Sequence, residues 1–446
     1  MDAGGPNADL ETGFTQAAPL ARPSVRIVAD RATVRGFQRM PTTDPSLPSA
    51  GSERVDRILG SYGSQPGPLL VLIAGIHGNE PAGVIAVQRV FESLRQRRPA
   101  IRGRVVGIAG NLRALEEKVR YIDQDLNRLW TAEHLERLDG SDPCHESGQV
   151  REIIEVLLSE VEKGPEDVIL LDLHTTSALG SPFTIISDTL RNRRVAFAMN
   201  VPVILGLEEN LEGTMLDFLG NYGCATVGLE GGQHDAPATA GNHEAAIWIT
   251  LARAGLMSEA DIPDLAEYQE RLDMAAEGQP AVVDIQHREA IQPGDEFTML
   301  PGFQNFQSVD AGELLAHAGP AKSPERREVR SADAGMVIMP RYQGQGSDGF
   351  FIGRRIRPFW VRLSGLLRRM RLSRVIAWLP GISKRTGESD FLEVDRQIAA
   401  WCPSDVFHLF GYRRLKTAED RLVFTRRVEQ RPELERLITD FREILQ

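Results

Sequence analysis

The sequence predicts an α/β fold: a mixed, mostly parallel sheet with helices on both faces, followed by a small β domain and a helical C-terminal extension. Three observations carry that prediction. Apolar runs rich in Val, Ile and Leu recur at 69–76, 104–109, 167–173 and 225–229, the pattern of strands buried on both faces. Stretches with one apolar helical face separate them, at 82–94 and 149–161, and such alternation over roughly 200 residues specifies a parallel sheet covered by helices. From about residue 275 the texture changes to short strand-like pieces divided by Gly, Pro and Asp, the signature of a small β domain.

With 446 residues the chain exceeds what one core usually fills, so more than one domain is expected. The composition shifts suggest a flexible leader over 1–23, an α/β domain over 24–256, a small β domain over 275–353 and a basic helical extension over 354–446. Apolar residues make up 42% and charged residues 25%, ordinary for a soluble globular protein. The net charge of −11 argues against a general nucleic-acid role. Cys144, Cys224 and Cys402 lie far apart and fit neither a disulfide framework nor a Cys-type zinc site, so a reducing cytoplasm is the expected compartment. The N-terminus lacks the pattern of a secretion signal, and no run approaches the roughly 18 apolar residues of a membrane span.

The central element is LLVLIAGIHGNEPAG at 69–83. Its apolar run ends at His77. Gly78 then permits a tight turn, Asn79 or Glu80 is placed to cap the next helix, and Pro81 suits a first helical turn. Val84, Val87, Phe91 and Leu94 fall on one face of the helix that begins there. His77 and Glu80 form a His-x-x-Glu pair at the carboxyl end of a strand, where open α/β sheets place their ligands. Imidazole plus carboxylate suits zinc, and His₂Glu with one open position is a recurrent catalytic set, so a second histidine is required.

Before this strand, 24–36 alternates like an edge strand or hairpin. After it, the short strand 104–109 and the helix-like LRALEEKV lead to RYIDQDLNR at 120–128. Two arginines, two aspartates and an asparagine in so short a stretch read, taken alone, as a solvated loop with internal ion pairs. The amphipathic helix 149–161 precedes a strand, 167–173, that ends at His174, the second histidine. Asp172, two residues back on the same strand face, is a plausible partner for a metal-bound imidazole. The strand piece 183–187 is followed by helix, strand and helix at 189–199, 201–206 and 212–220. A strand from Ala225 then delivers Glu230 into a Gly-Gly turn as a candidate general base, and Asn242 is placed to cap a helix over 243–254.

Taken together, GIHGNE at 75–80, RYIDQDLNR at 120–128, DLHTTS at 172–177 and GLEGG at 228–232 resemble the succinylglutamate desuccinylase/aspartoacylase family, which shares its fold with the zinc carboxypeptidases. The resemblance runs from about 69 to 255 in order and spacing. It implies that His77, Glu80 and His174 bind one zinc ion per chain and leave a position for water, whose pKa zinc lowers from 15.7 to about 7. It implies further that Glu230 takes the water's proton, that Arg120 polarises an amide carbonyl, and that Asn127 and Arg128 hold the α-carboxylate of a small N-acyl amino acid. Asp125 is placed to orient the arginines. The aspartoacylase branch uses a further arginine shortly before the catalytic glutamate. Here Gly220-Asn221-Tyr222-Gly223 occupies that neighbourhood, which argues against N-acetylaspartate. Gln233-His234-Asp235 is polar enough to contribute to the pocket, the favoured expectation; the alternative is that His234 only stabilises the turn. The expected activity is a zinc-dependent deacylase acting on carbon-nitrogen amide bonds. The alternatives are a zinc carboxypeptidase on short peptides and a zinc-binding interaction protein without turnover.

The extension opens with an unusual stretch. Between Arg354 and Arg374 stand eight arginines and no acid, interleaved with Phe359, Trp360, Leu363, Leu366, Leu367 and Met370. The favoured expectation is that these arginines pair with acidic faces of the same chain while the apolar residues pack. Contact with an anionic membrane surface through 354–374 is the weaker reading. Homo-oligomerisation is left open.

Overall fold

The computed structural model describes residues 55–446, apart from 139–142, 293, 321–322, 324–325, 371, 373–375, 377–381, 385–390, 396–403 and 416–420. The expected leader and the strand over 24–36 therefore lie outside the described residues, as does Cys402. Cys144 and Cys224 are buried free thiols.

Among the described residues, fourteen strands precede the extension. They are β1 (Ile58–Tyr62), β2 (Leu69–Ala74), β3 (Arg104–Ala109), β4 (Val168–Thr176), β5 (Phe183–Ile185), β6 (Val203–Leu205), β7 (Ala225–Gln233), β8 (Val282–Ala290), β9 (Thr298–Met299), β10 (Gln307–Val309), β11 (Leu314–Ala318), β12 (Arg327–Arg330), β13 (Gly335–Ile338) and β14 (Asp348–Arg355). Eleven of them form one sheet in the order β1-β3-β2-β4-β7-β5-β6-β8-β14-β13-β10. Its centre, β3-β2-β4-β7, is parallel throughout.

The uninterrupted apolar run of β2 explains that central position. Every residue of it is buried, and the two-residue period of a strand sends Leu70, Leu72 and Ala74 into one core and Leu69, Val71 and Ile73 into another. The first core contains apolar faces of the helices Ala82–Arg97 and Ala238–Arg253, and the second that of His145–Val161. Leu70 and Leu72 are fully enclosed, so truncating either to alanine should cost about 2–5 kcal/mol.

Three local expectations are corrected. The helix after Glu80 starts behind Pro81 with no side-chain cap, because Asn79 and Glu80 are bonded elsewhere. The helix expected over 243–254 begins at Ala238, so Asn242 lies inside it and donates to Gly231 O at 2.9 Å. The strands beyond 275 are not a separate sheet: β8 pairs parallel with β6, and β14, β13 and β10 continue the main sheet antiparallel. Only β9, β11 and β12 form a small sheet of their own. β10 and β14 were not legible as strands, the first because it is so short and the second because its arginines continue into the basic stretch.

The extension holds helices and, in addition, a four-stranded antiparallel sheet from Ile382–Lys384, Phe391–Asp395, Tyr412–Leu415 and Arg421–Arg426. Alternation of buried Leu392 and Val394 with half-exposed neighbours makes the second of these a strand. The helix Leu434–Leu445 buries Leu437 and Phe441 in the core that holds the His145–Val161 face.

Candidate functional site

The carboxyl ends of β2, β4 and β7 lie side by side. His77 follows β2, His174 lies near the end of β4, and Glu230 on β7 stands opposite His174 in register. The turn after β2 is held close to its neighbours. A Cβ on Gly78 would lie 1.9 Å from the carbonyl carbon of Ala114, so only glycine lets this turn pass the helix Leu112–Glu117. The Gly78 N–H donates to Arg120 O at 3.2 Å, which ties the His77–Glu80 turn to the stretch carrying Arg120.

His77, Glu80 and His174 are buried, and their ligand atoms lie within 4.8 Å of one another. Both rings turn Nδ1 toward the Glu80 carboxylate, His77 at 3.0 Å from Oε1 and His174 at 3.2 Å from Oε2. Both Nε2 atoms face a supporting carboxylate, His77 on Asp125 at 3.2 Å and His174 on Asp172 at 2.8 Å. Such partners fix the tautomer and leave Nδ1 free to ligate. His77 Nδ1 has no hydrogen bond although it is buried, as a ligand atom facing a cation would be left. The donor set therefore fits a metal ion. Burial opposes charge on Glu80, yet the two histidines hold its carboxyl well below the usual range. His174 is likewise disfavoured as a cation by burial, but Asp172 and Glu80 raise its pKa well above the ordinary value.

Glu230 lines the same cavity, and its Oε2 is buried without a hydrogen-bond partner. Burial pushes its carboxyl up to about 8, with His174 and Arg120 pulling down and Glu80 and Asp172 adding to the rise. Arg120 places Nη1 3.2 Å from Glu80 Oε1 and Nη2 3.2 Å from Asp125 Oδ2. Asp125 thus serves His77 and Arg120 together. Asn127 uses its Oδ1 to accept from Met215 N at 3.0 Å, leaving its amide nitrogen for the cavity it lines. Arg128, in the same wall, pairs with Asp348 at 2.9 Å. His77, Glu80, Arg120, Asn127, Arg128, His174 and Glu230 thus line one cavity, while Asp125 and Asp172 bond the two histidines without lining it.

Residues 66–251 match the family model of the succinylglutamate desuccinylase/aspartoacylase catalytic domain. The likeness is to that catalytic domain and covers this part of the chain only. Among curated relatives, succinylglutamate desuccinylase of Pseudomonas paraeruginosa is 31% identical over 106 residues, 24% of this chain and 30% of that protein. The enzyme of the same name from Pseudomonas putida is 38% identical over 65 residues, 15% of this chain and 19% of its own. The aligned region thus spans less than a third of these relatives' length. A solved succinylglutamate desuccinylase/aspartoacylase from Rhodobacter sphaeroides shares the fold, with TM-score 0.50 and 18% identity over 67% of this chain and 88% of that one.

Beyond the family match, the site draws on residues that sequence reading missed. The loop between β13 and β14 crosses the catalytic-domain end: Arg341, Gln343 and Gly346 line the cavity, and Gln345 accepts from Arg120 N at 3.0 Å and donates to Tyr121 O at 3.1 Å. His234 does not line the cavity. It bonds Thr175 Oγ1 at 2.6 Å and Gln343 Oε1 at 3.0 Å, clamping that loop to β4. Glu146 accepts from the backbone N–H groups of Ile122, Asp123 and Gln124 at 2.7, 3.1 and 3.1 Å, folding the turn beside Arg120. Its oxygens are thereby spent, so the nearby Asp123, Cys144 and Glu146 do not make a second metal site. Gly220–Gly223 lies away from the cavity: the Tyr222 hydroxyl donates to Asp440 of the last helix at 2.6 Å. Arg341, far along the chain, is the additional guanidinium at the cavity; nothing local in its sequence marks it.

Proposed function

We propose that this chain is a zinc-dependent hydrolase that cleaves the amide bond of a small N-acyl amino acid. The observation that carries the reading is the pair of histidines turned Nδ1-inward on Glu80, each backed by its own carboxylate, with an unbonded Glu230 oxygen in the same cavity. The curated relatives are named for removing succinate from succinylglutamate, a substrate of this class.

His77, Glu80 and His174 would hold zinc, which supplies the Lewis acidity that makes water nucleophilic near neutral pH. Glu230 takes a proton from the water as its oxygen adds to the amide carbonyl carbon. It then delivers a proton to the amide nitrogen as the C–N bond breaks, so that a carboxylic acid and a free amine leave. Its raised pKa suits a group that must both accept and give a proton near neutrality. Arg120, held by Glu80 and Asp125, faces the carbonyl oxygen and offsets the negative charge that develops there. The Asn127 amide and the Arg128 guanidinium take the α-carboxylate, with Asp348 holding the guanidinium in place until substrate arrives. Arg341, whose buried Nε has no hydrogen-bond partner, suits a second carboxylate on the substrate.

The loop carrying Gln343 and Gln345 narrows the cleft and favours small substrates over peptides. The test is release of free amine from a panel of N-acetyl, N-succinyl and other N-acyl amino acids and short peptides, with and without chelator. Chelator-sensitive release from an N-acyl amino acid supports the reading. Release from peptides alone, or from nothing with zinc bound, overturns it.

A further inference from the structure

The helix Pro358–Arg369 is inside out. At 3.6 residues per turn, Phe359, Leu363, Leu366 and Met370 form one stripe, with Ser364 and Arg368 opposite. The polar side is the buried one. Ser364 donates to Leu409 O at 3.0 Å, and Arg368 bonds Asp188 Oδ2 at 2.7 Å and His408 O at 2.6 Å. The apolar stripe faces outward: Phe359 is 63% exposed, Leu366 55% and Met370 59%, with Trp360 beside them at 47%. Four of the nine large exposed apolar residues among those described fall in this one stretch. The helix Leu434–Leu445 shows the ordinary arrangement in the same chain, with Leu437 and Phe441 buried.

The arginines divide in the same way. Arg368 follows the expectation of internal pairing, and Arg354 approaches Asp284 at 3.9 Å. Arg355, Arg357, Arg362 and Arg369 are exposed and have no side-chain hydrogen bond or ion pair among the described residues. Arg362 and Arg369 lie one helical heptad apart, along the edge of the apolar stripe. Arg354, Arg355 and Arg357 continue the positive charge around the start of the helix, where with Trp360 they line a cavity of about 530 Å³.

We propose that this face lies on an anionic lipid surface, with Phe359, Leu366, Met370 and the Trp360 ring entering the headgroup boundary and the unpaired arginines on the lipid phosphates. An apolar stripe edged by cations is the composition of helices that lie in a membrane interface. With no acidic residue between 354 and 374 to set a register, the patch suits a fluid anionic surface better than a patterned protein face. This is contact in the plane of the membrane: no helix among the described residues is long and apolar enough to cross one. The inference is independent of the proposed hydrolase activity.

The test is co-sedimentation of the full chain with vesicles of mixed phosphatidylglycerol and phosphatidylcholine, against pure phosphatidylcholine, at low and high salt. The expected result is binding to the anionic vesicles that salt weakens. The triple variant Phe359→Ser, Leu366→Ser, Met370→Ser and the double variant Arg362→Gln, Arg369→Gln should each bind about tenfold less well, with thermal unfolding unchanged. Brominated lipid should quench tryptophan emission in the parent and do so less in Trp360→Phe, a readout that does not depend on the multiple variants folding. No binding to anionic vesicles at low salt overturns the proposal, as does equal binding or equal quenching of parent and variants. Self-association without lipid, lost in the triple variant, would assign the face to a second copy instead.

Discussion

The Asp172 carboxylate lies 2.8 Å from Nε2 of His174, while Nδ1 of the same ring faces Glu80 at 3.2 Å. The carboxylate keeps the proton on Nε2 and so leaves the Nδ1 lone pair for a metal. Asp172→Asn should therefore lower metal affinity by about 10–100-fold, measured by competition with a fluorescent chelator, and excess metal should restore turnover. Unchanged affinity would show that Asp172 does not set the tautomer.

Glu230 is separable from the metal ligands. Replacing it by Gln keeps the shape and removes the proton acceptor, so turnover should fall by about 10²–10⁴-fold at undiminished metal content. A variant that still turns over at the parental rate would strip Glu230 of its assigned part.

Arg128 differs from a lysine in its planar pair of donors, one of which now meets Asp348. Arg128→Lys should raise KM by about tenfold or more while metal content stays fixed. Steady-state kinetics on the best substrate of the panel decides this, and an unchanged KM would place the α-carboxylate elsewhere.

Asp188 anchors the extension to the α/β part. It bonds Arg193 at 2.8 Å and Arg368 at 2.7 Å. Burial by itself would raise its pKa, but Arg368, Arg193 and Arg427 outweigh burial and hold the carboxyl far below the ordinary range. The folded form thus binds fewer protons at this site than the unfolded chain. Its stabilisation is complete above the unfolded value of about 3.9 and is lost as pH falls below it. Asp188→Asn should cost about 3–5 kcal/mol at neutral pH, because it leaves buried guanidiniums unpaired, and should flatten the acid side of the stability profile. Urea unfolding across pH measures both; a parent and variant that lose stability in parallel below pH 4 would contradict the assignment.

Legibility in the sequence depended on range. The strand ends carrying His77, His174 and Glu230 were legible because long apolar runs with no polar alternation mark buried strands, and each run stops at the residue in question. Asp172 was legible for the same reason, as it shares a strand face with His174. Asn79 and Glu80 looked like caps because capping is a local rule, whereas their bonds go to Gln343 and His174, contacts that no spacing records. Arg341, Gln343 and Asp348 reach the cavity only because β14 pairs with β8 and returns the chain across the sheet. The outward stripe of Phe359, Leu366 and Met370 was visible as a pattern. Its direction was not, because periodicity states that a helix has two faces and leaves open which one the protein covers.

The central claim is a metal held by His77, Glu80 and His174, and elemental analysis of purified parent protein and of His77→Ala, each after reconstitution with zinc, tests it most directly. The account predicts one zinc per chain in the parent and substantial loss in a variant that remains folded by circular dichroism. A parent that takes up no zinc, or a folded His77→Ala that keeps its full complement, would contradict it.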